Sequence, residues 1–137
     1  MTRETSFKDV VKTLLHVLGI RKTEIAELTP EELYERIKGD NPPLLLDIRS
    51  PDSFNGTGNR NGLGHIPNAK SIPYEELESR LGELESYKEK EIVTMCPGGG
   101  LSLVAAELMT KAGFKDVKSL KGGMNSWNKK EYPTTKS

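Results

Sequence analysis

Cys96 is the single cysteine of this 137-residue chain, and its neighbours are of the kind that activate a nucleophile. It follows the apolar run 92–95 and precedes Pro97 and three glycines at 98–100, after which a helical pattern begins. A strand would deliver the sulfur, glycines would let backbone N–H groups turn towards it, and a helix N-terminus would add positive potential. Because the thiolate is the reactive form of cysteine, this setting predicts a nucleophilic sulfur.

Composition excludes several classes of function. The formal net charge is zero with 29% charged residues, which argues against nucleic acid as a partner and against a solvating acidic role. A lone cysteine forms no internal disulfide, and no His/Cys cluster has the spacing of metal ligands, so we expect a protein without metal or cofactor in a reducing compartment, the cytoplasm. Charges interrupt the apolar segment 7–20, so we predict neither a signal peptide nor a membrane span there.

Strand and helix patterns alternate along the chain. Strands are predicted at 25–28, 44–48, 69–72, 92–95 and 117–120, and helices at 29–37, 51–54, 74–84, 101–112 and after 122–123. This alternation indicates an α/β domain, a mainly parallel sheet with helices on both faces. Since right-handed crossovers place all carboxyl ends at one edge, we expect Asp47, Cys96 and Leu120 to converge there.

An amphipathic helix is predicted near the N-terminus. Its apolar residues recur at helical spacing between Phe7 and Leu18, and Gly19 can end it. We therefore divide the chain into an N-terminal helical extension, residues 1–22, and a domain, residues 23–137. The helix is expected to cover the protein's own apolar surface in a monomer, and the alternative is that it joins two copies in a dimer.

Four segments, in this order, resemble the single-domain rhodaneses, a sulfurtransferase family. They are DIRSPDSF at 47–54, GHIPNA at 64–69, the strand, loop and helix around Cys96, and LKGGMNSW at 120–127. The resemblance covers residues 25–127 and implies a three-layer domain with a mainly parallel sheet. It also implies that the Cys96 thiolate takes a sulfane sulfur from thiosulfate or a persulfide, holds it as a persulfide, and passes it to a thiol or other nucleophilic acceptor, which can belong to a protein. The backbone N–H groups of Gly98, Gly99, Gly100, Leu101 and Ser102 would cradle the charge on sulfur.

The active loop departs from the family at one position. The family's loop ends in an arginine followed by a small hydroxyl residue, and the matching residues here are Leu101 and Ser102. A guanidinium is a bidentate ligand for oxyanions, so its loss weakens the case for thiosulfate more than the case for persulfide formation. The related dual-specificity phosphatases carry the arginine one place later, at Ser102 here, so phosphatase chemistry would lack its anion clamp. Pro97 also removes one N–H from the cradle.

Other residues have a structural and a functional interpretation. Arg60, in the glycine-rich loop 55–64, and Lys121 are candidate replacement cations near the sulfur. For Asp47 and Arg49 we favour an ion pair that fixes the loops at the mouth over a direct catalytic role. His65 is interpreted as structural and Trp127 as core packing, and His16 is assigned no function.

Two functions remain open from the sequence. The first is a sulfurtransferase or persulfide carrier with Cys96 as its nucleophile. The second is a binding or regulatory module of rhodanese fold with little turnover. Leu101 favours the second function. The presence of Cys96 favours the first, because a purely structural descendant could dispense with the cysteine. Without its family context, a solitary cysteine is usually a small buried hydrophobic residue.

Overall fold

A computed structural model describes residues 10, 24–57 and 62–137. Apart from Val10, the predicted N-terminal helix lies outside the described residues, and so do His16 and Arg60. The division of the chain after residue 22 stays a prediction.

Five parallel strands form one sheet, as the alternating pattern predicted. They are β1 (Glu27–Leu28), β2 (Leu44–Asp47), β3 (Lys70–Ser71), β4 (Glu91–Met95) and β5 (Asp116–Leu120). Their order across the sheet is β1-β5-β4-β2-β3, and each neighbouring pair is parallel. All carboxyl ends therefore meet at one edge, with β4 at the centre of the sheet.

Between Glu24 and the C-terminus, leaving out residues 58–61, five α-helices and one 3-10 helix accompany the strands. They are α1 (Pro30–Lys38), α2 (Pro51–Asn55), α3 (Tyr74–Leu77), the 3-10 helix (Glu78–Tyr87), α4 (Gly100–Lys111) and α5 (Gly123–Lys129). Helix α1 begins with a capping box, in which the Thr29 side chain accepts from Glu32 N and the Glu32 side chain accepts from Thr29 N. The segment 74–84 is helical as predicted, but only its first turn is α-helical and the rest is a 3-10 helix. Leu81, Leu84 and Tyr87 are three residues apart, which is the period of a 3-10 helix, and all three pack against the core.

Helices cover both faces of the sheet and enclose two apolar clusters. On one face Leu33 of α1 and Trp127 of α5 pack against Leu45 and Val93. On the other face the 3-10 helix and α4 cover Leu46 and Ile92. The predicted three-layer architecture is confirmed, and Trp127 is part of the core as expected.

A buried ion pair follows the carboxyl end of β2. Asp47 is fully buried, and its carboxylate accepts hydrogen bonds from Arg49 Nε at 3.0 Å and Arg49 Nη2 at 2.7 Å. Arg49 Nη2 also donates to the carbonyl of Gly64 at 2.8 Å, and this bond anchors the last residue of the glycine-rich loop beside the sheet. The next residue, His65, stacks on Phe54 and its Nδ1 lies 2.6 Å from the Phe54 carbonyl oxygen. The Asp47–Arg49 ion pair holds Gly64 beside the carboxyl edge of the sheet, and the contact of His65 with Phe54 joins α2 to the same segment.

Removing the guanidinium should cost a large fraction of the stability. In Arg49→Met the Asp47 carboxylate stays buried without its partner, and we expect the free energy of unfolding to fall by about 3–5 kcal/mol. Urea denaturation followed by circular dichroism measures this loss. The matched control is Arg80→Met, which breaks exposed ion pairs to Glu76 and Glu83 and should cost less than about 1 kcal/mol. Equal losses in the two variants would contradict the anchoring role.

Candidate active site

Cys96 lies directly after β4, at the carboxyl edge of the sheet. The preceding carbonyl, of Met95, accepts a hydrogen bond from Ile48 N at 3.0 Å, and the Cys96 carbonyl accepts one from Met124 N at 2.8 Å. The backbone at the cysteine is thus held on one side by the chain leaving β2 and on the other by the first turn of α5. This places the sulfur at the edge where the sequence predicted that functional residues would converge.

Two N–H donors and one hydroxyl group surround the sulfur of Cys96. The N–H groups of Gly99 and Ser102 donate to Sγ at 3.1 Å and 3.2 Å, and the Cys96 thiol donates to Ser102 Oγ at 3.3 Å. The cysteine is only 2% exposed. Donors aimed at one buried atom favour negative charge on that atom, so this arrangement suits a thiolate or a persulfide anion.

Fewer N–H groups reach the sulfur than the sequence predicted. We expected N–H groups from the whole segment 98–102, but in this loop only Gly99 and Ser102 donate to Sγ. Only Gly99 of the three loop glycines has a positive φ, 92°. Gly98, Gly100 and Leu101 lie in the loop and in the first turn of α4, and Leu101 is 43% exposed.

A second hydroxyl lies behind Ser102. The Oγ atoms of Ser102 and Ser119 are 2.7 Å apart, and both residues are fully buried. Thr94 adds a third buried hydroxyl, which donates to the carbonyls of Ser102 and Lys118 at 2.8 Å and 3.2 Å. Sequence reasoning did not identify Ser119, although a serine two residues after the apolar Val117 shares its face of β5 and therefore faces the core.

Two glycines after β5 hold the loop of Cys96 by close backbone contact. A Cβ on Gly123, whose φ is 61°, would lie 2.3 Å from the carbonyl oxygen of Cys96. A Cβ on Gly99 would lie 2.8 Å from Gly122 N. Only glycine permits such close approach. Both glycines belong to the segment LKGGMNSW, where no role was predicted for them, and the sequence signal for this contact is a pair of glycines between a strand and a helix.

The candidate cations differ in their surroundings. Arg49 is engaged by Asp47 and the Gly64 carbonyl. Lys121 follows β5 and is exposed, and its backbone N–H donates to the Leu28 carbonyl at 2.8 Å. Arg60 lies outside the described residues. Arg49 is thus already paired, whereas the Lys121 side chain is exposed.

A cleft of about 680 Å³ lies at the opposite edge of the sheet from Cys96. Its lining includes Leu44, Glu91 and Asp116, the first residues of β2, β4 and β5, and the Arg36 and Glu91 side chains form an ion pair there. The lining contains no cysteine, serine or histidine. The cleft is therefore separate from the candidate active site.

The described residues contain neither a candidate metal site nor a membrane-spanning helix. No group of three or more His, Cys, Asp or Glu side chains in them is arranged to hold a metal ion. Among the same residues no helix has the length and apolar character needed to span a membrane.

The glycine contact yields a prediction about stability. In Gly123→Ala the new methyl group overlaps the Cys96 carbonyl at a positive φ, so we expect the free energy of unfolding to fall by at least about 2 kcal/mol. The control is Gly82→Ala, since a Cβ at Gly82 meets no atom within 4 Å. Urea denaturation compares the two variants. An unchanged midpoint in Gly123→Ala would show that the backbone contact is not rigid.

Comparisons with known proteins agree with this geometry. The model of the rhodanese-like domain family matches residues 29–130. A putative sulfur carrier protein of Bacillus subtilis, YrkF, is 32% identical over 108 residues, which are 79% of this chain and 54% of that protein. This chain thus spans about half the length of that relative. A sulfurtransferase of Allochromatium vinosum is 28% identical over 109 residues, 80% of this chain and 94% of that protein.

A solved structure shares the architecture. A rhodanese-related protein from Thermoplasma volcanium superposes with a TM-score of 0.69 at 28% identity, covering 82% of this chain and 99% of that one. The family match spans most of the chain, including all of α1, the Cys96 loop and α5. The resemblance noted from the four sequence segments is confirmed: the chain belongs to the rhodanese-like domain family and has its α/β fold.

Proposed function

We propose that this protein is a sulfurtransferase or persulfide carrier in which Cys96 holds the transferred sulfur. The observation that carries the proposal is the convergence of two N–H groups and one hydroxyl on a single buried sulfur. A structural cysteine in an apolar core needs no such donors. The names of two relatives, a putative sulfur carrier and a sulfurtransferase, support the same class of reaction.

The proposed reaction has two displacement steps at sulfur. The Cys96 thiolate attacks the sulfane sulfur of a donor, a new S–S bond forms, and the donor leaves as a thiolate or, from thiosulfate, as sulfite. An acceptor thiolate then attacks the outer sulfur of the Cys96 persulfide, and the Cys96 thiolate leaves. The first step begins, and the second step ends, with negative charge on Cys96 Sγ, so the Gly99 and Ser102 donors would stabilise the reacting thiolate in one step and the leaving thiolate in the other.

Leu101 supports persulfides over thiosulfate as donors. An arginine at this position would bind the oxyanion end of thiosulfate in a bidentate manner, and the exposed leucine offers it no charge. Arg49 is committed to Asp47, whereas Lys121 is exposed after β5. We propose Lys121 and Arg60 as cations that replace part of the missing charge.

The setting of the protein follows from the same chemistry. Its partners are a small sulfur donor and a thiol or protein acceptor. A persulfide-forming thiol functions in a reducing compartment, and we propose the cytoplasm. We propose a monomer in which residues 1–22 form an extension to the domain of residues 23–137, and a dimer through that extension is the alternative.

Leu101 also favours a second candidate function. A rhodanese-fold binding or regulatory module has no need of an oxyanion clamp, and the 2% exposure of Cys96 limits direct attack on a bulky donor. The two functions differ in whether Cys96 accepts a sulfur atom.

Intact mass spectrometry distinguishes them. After incubation with a small-molecule persulfide we expect the wild-type mass to increase by one sulfur atom, and the adduct to disappear when cyanide or a thiol is added. Cys96→Ser is the matched control and should gain no sulfur. Absence of an adduct from both a persulfide and thiosulfate would refute the sulfurtransferase proposal and leave the binding module.

Restoring the arginine should increase thiosulfate use. In Leu101→Arg a charge-assisted bidentate contact to the oxyanion should raise kcat/KM for thiosulfate at least about tenfold, with a smaller effect on a persulfide donor. Val104→Arg is the matched control, because Val104 is 44% exposed on the same helix but lies one turn beyond the loop. Equal gains in both variants would indicate a general charge effect and contradict the specific role of position 101.

A further inference from the structure

We propose that Ser119 is a positioning residue that sets the reactivity of Cys96 through the hydroxyl of Ser102. The three side chains form a continuous chain of polar atoms: Cys96 Sγ to Ser102 Oγ at 3.3 Å, and Ser102 Oγ to Ser119 Oγ at 2.7 Å. They come from three different elements, the end of β4, the first turn of α4, and β5. All three residues are buried, so solvent does not compete for these contacts.

The number of hydroxyl protons along these hydrogen bonds explains how Ser119 can affect Cys96. Ser102 has one hydroxyl proton and two polar neighbours, Cys96 Sγ and Ser119 Oγ, and it donates to one of them at a time. When Cys96 is a thiol, S–H donates to Ser102 Oγ, and Ser102 donates to Ser119. When Cys96 is a thiolate, Ser119 donates to Ser102, which leaves the Ser102 proton for the sulfur.

Ser119 therefore exchanges the roles of acceptor and donor as Cys96 gains or loses its proton. Only hydroxyl rotations are needed, and no heavy atom moves. The close Oγ–Oγ contact at 2.7 Å has the length of a good O–H···O hydrogen bond in either direction. Because Ser119 makes Ser102 a better donor to the anion, it stabilises the thiolate without touching it.

The buried hydroxyl of Thr94 is not part of the hydrogen-bond series that joins Cys96, Ser102 and Ser119. Thr94 donates to the carbonyl oxygens of Ser102 and Lys118, so its proton is used by the backbone. Thr94 therefore supplies a matched control. Its hydroxyl is buried on β4, two residues before Cys96, and it bonds to backbone carbonyls and not to the Cys96, Ser102 or Ser119 side chains.

The charged and titratable groups on the elements next to Cys96 have other partners or are exposed. Asp47 and Arg49, after β2, are paired with each other. On α3, Glu75 and Glu76 are exposed and Tyr74 packs against the apolar core. Lys121 after β5 is exposed, and neither α4 nor α5 has an acidic residue in its first turn. In the described part of the chain, side-chain hydrogen bonds thus link the sulfur to Ser102 and, through Ser102, to Ser119.

The pH dependence of cysteine alkylation tests this proposal. Cys96 is the single thiol of the sequence, so the rate of its reaction with iodoacetamide reports the thiolate fraction directly. Ser102→Ala removes a donor to the anion, and we expect the midpoint pH of the rate to rise by about 1 unit. Ser119→Ala should raise it by about half as much.

The double variant separates an indirect effect from a general structural one. If Ser119 acts through Ser102, Ser119→Ala causes no further shift of the midpoint when Ser102 is already alanine. Thr94→Val should leave the midpoint unchanged although it removes a buried hydroxyl. A wild-type midpoint in Ser119→Ala, or the same shift in both backgrounds, would overturn the proposal.

A second pair of variants covers the case in which Ser119→Ala does not fold. Ser119→Thr and Ser119→Val have nearly the same volume and differ in the hydroxyl, so we expect a higher midpoint in the valine variant than in the threonine variant. Equal midpoints in the two would also overturn the proposal. Alkylation requires no sulfur donor, so this result is independent of whether the protein transfers sulfur.

Discussion

Hydrogen bonding to a buried sulfur is the interaction on which the rest of this site depends. Cys96 is only 2% exposed, so in the proposed reaction the protein must supply the hydrogen-bond donors that water would otherwise supply to a charged sulfur. The supply comes from the turn between β4 and α4, where two N–H groups and one hydroxyl point at the same atom. The parallel sheet brings that turn to the edge where β2 and β5 also end. The neighbouring segments then hold the turn in place: Ile48 N on one side, Gly122 and Gly123 on the other.

The sequence was sufficient to predict most of the fold, because its signals are local. Continuous apolar runs predicted the central strands, and the capping box and Pro30 predicted the start of α1. The 3-10 helix was missed because leucines at 77, 81 and 84 also fit an α-helical face. The choice between the two depends on how Leu81, Leu84 and Tyr87 pack against the sheet, which is a tertiary effect.

The candidate site was predictable only in part. Cys96, its glycine loop and the hydroxyl at Ser102 are close in sequence, so one short motif indicates them all. Ser119 and the Gly122–Gly123 contact come from a distant segment, and their roles depend on the packing of β5 against β4. Which N–H groups reach the sulfur was also beyond the sequence, because it depends on the φ and ψ angles of each loop residue.

The backbone contacts around the loop have a consequence for how this family can diversify. The position of the sulfur is set by main-chain groups of Gly99, Gly123 and Met124, whereas a Cβ added at Gly98 or Gly100 meets no atom within 4 Å, and Leu101 faces solvent. Side chains at these three positions can therefore change without displacing the nucleophile. Such a loop keeps the sulfur and its N–H donors in place whichever side chain stands at position 101, so an arginine and a leucine there fit the same backbone frame.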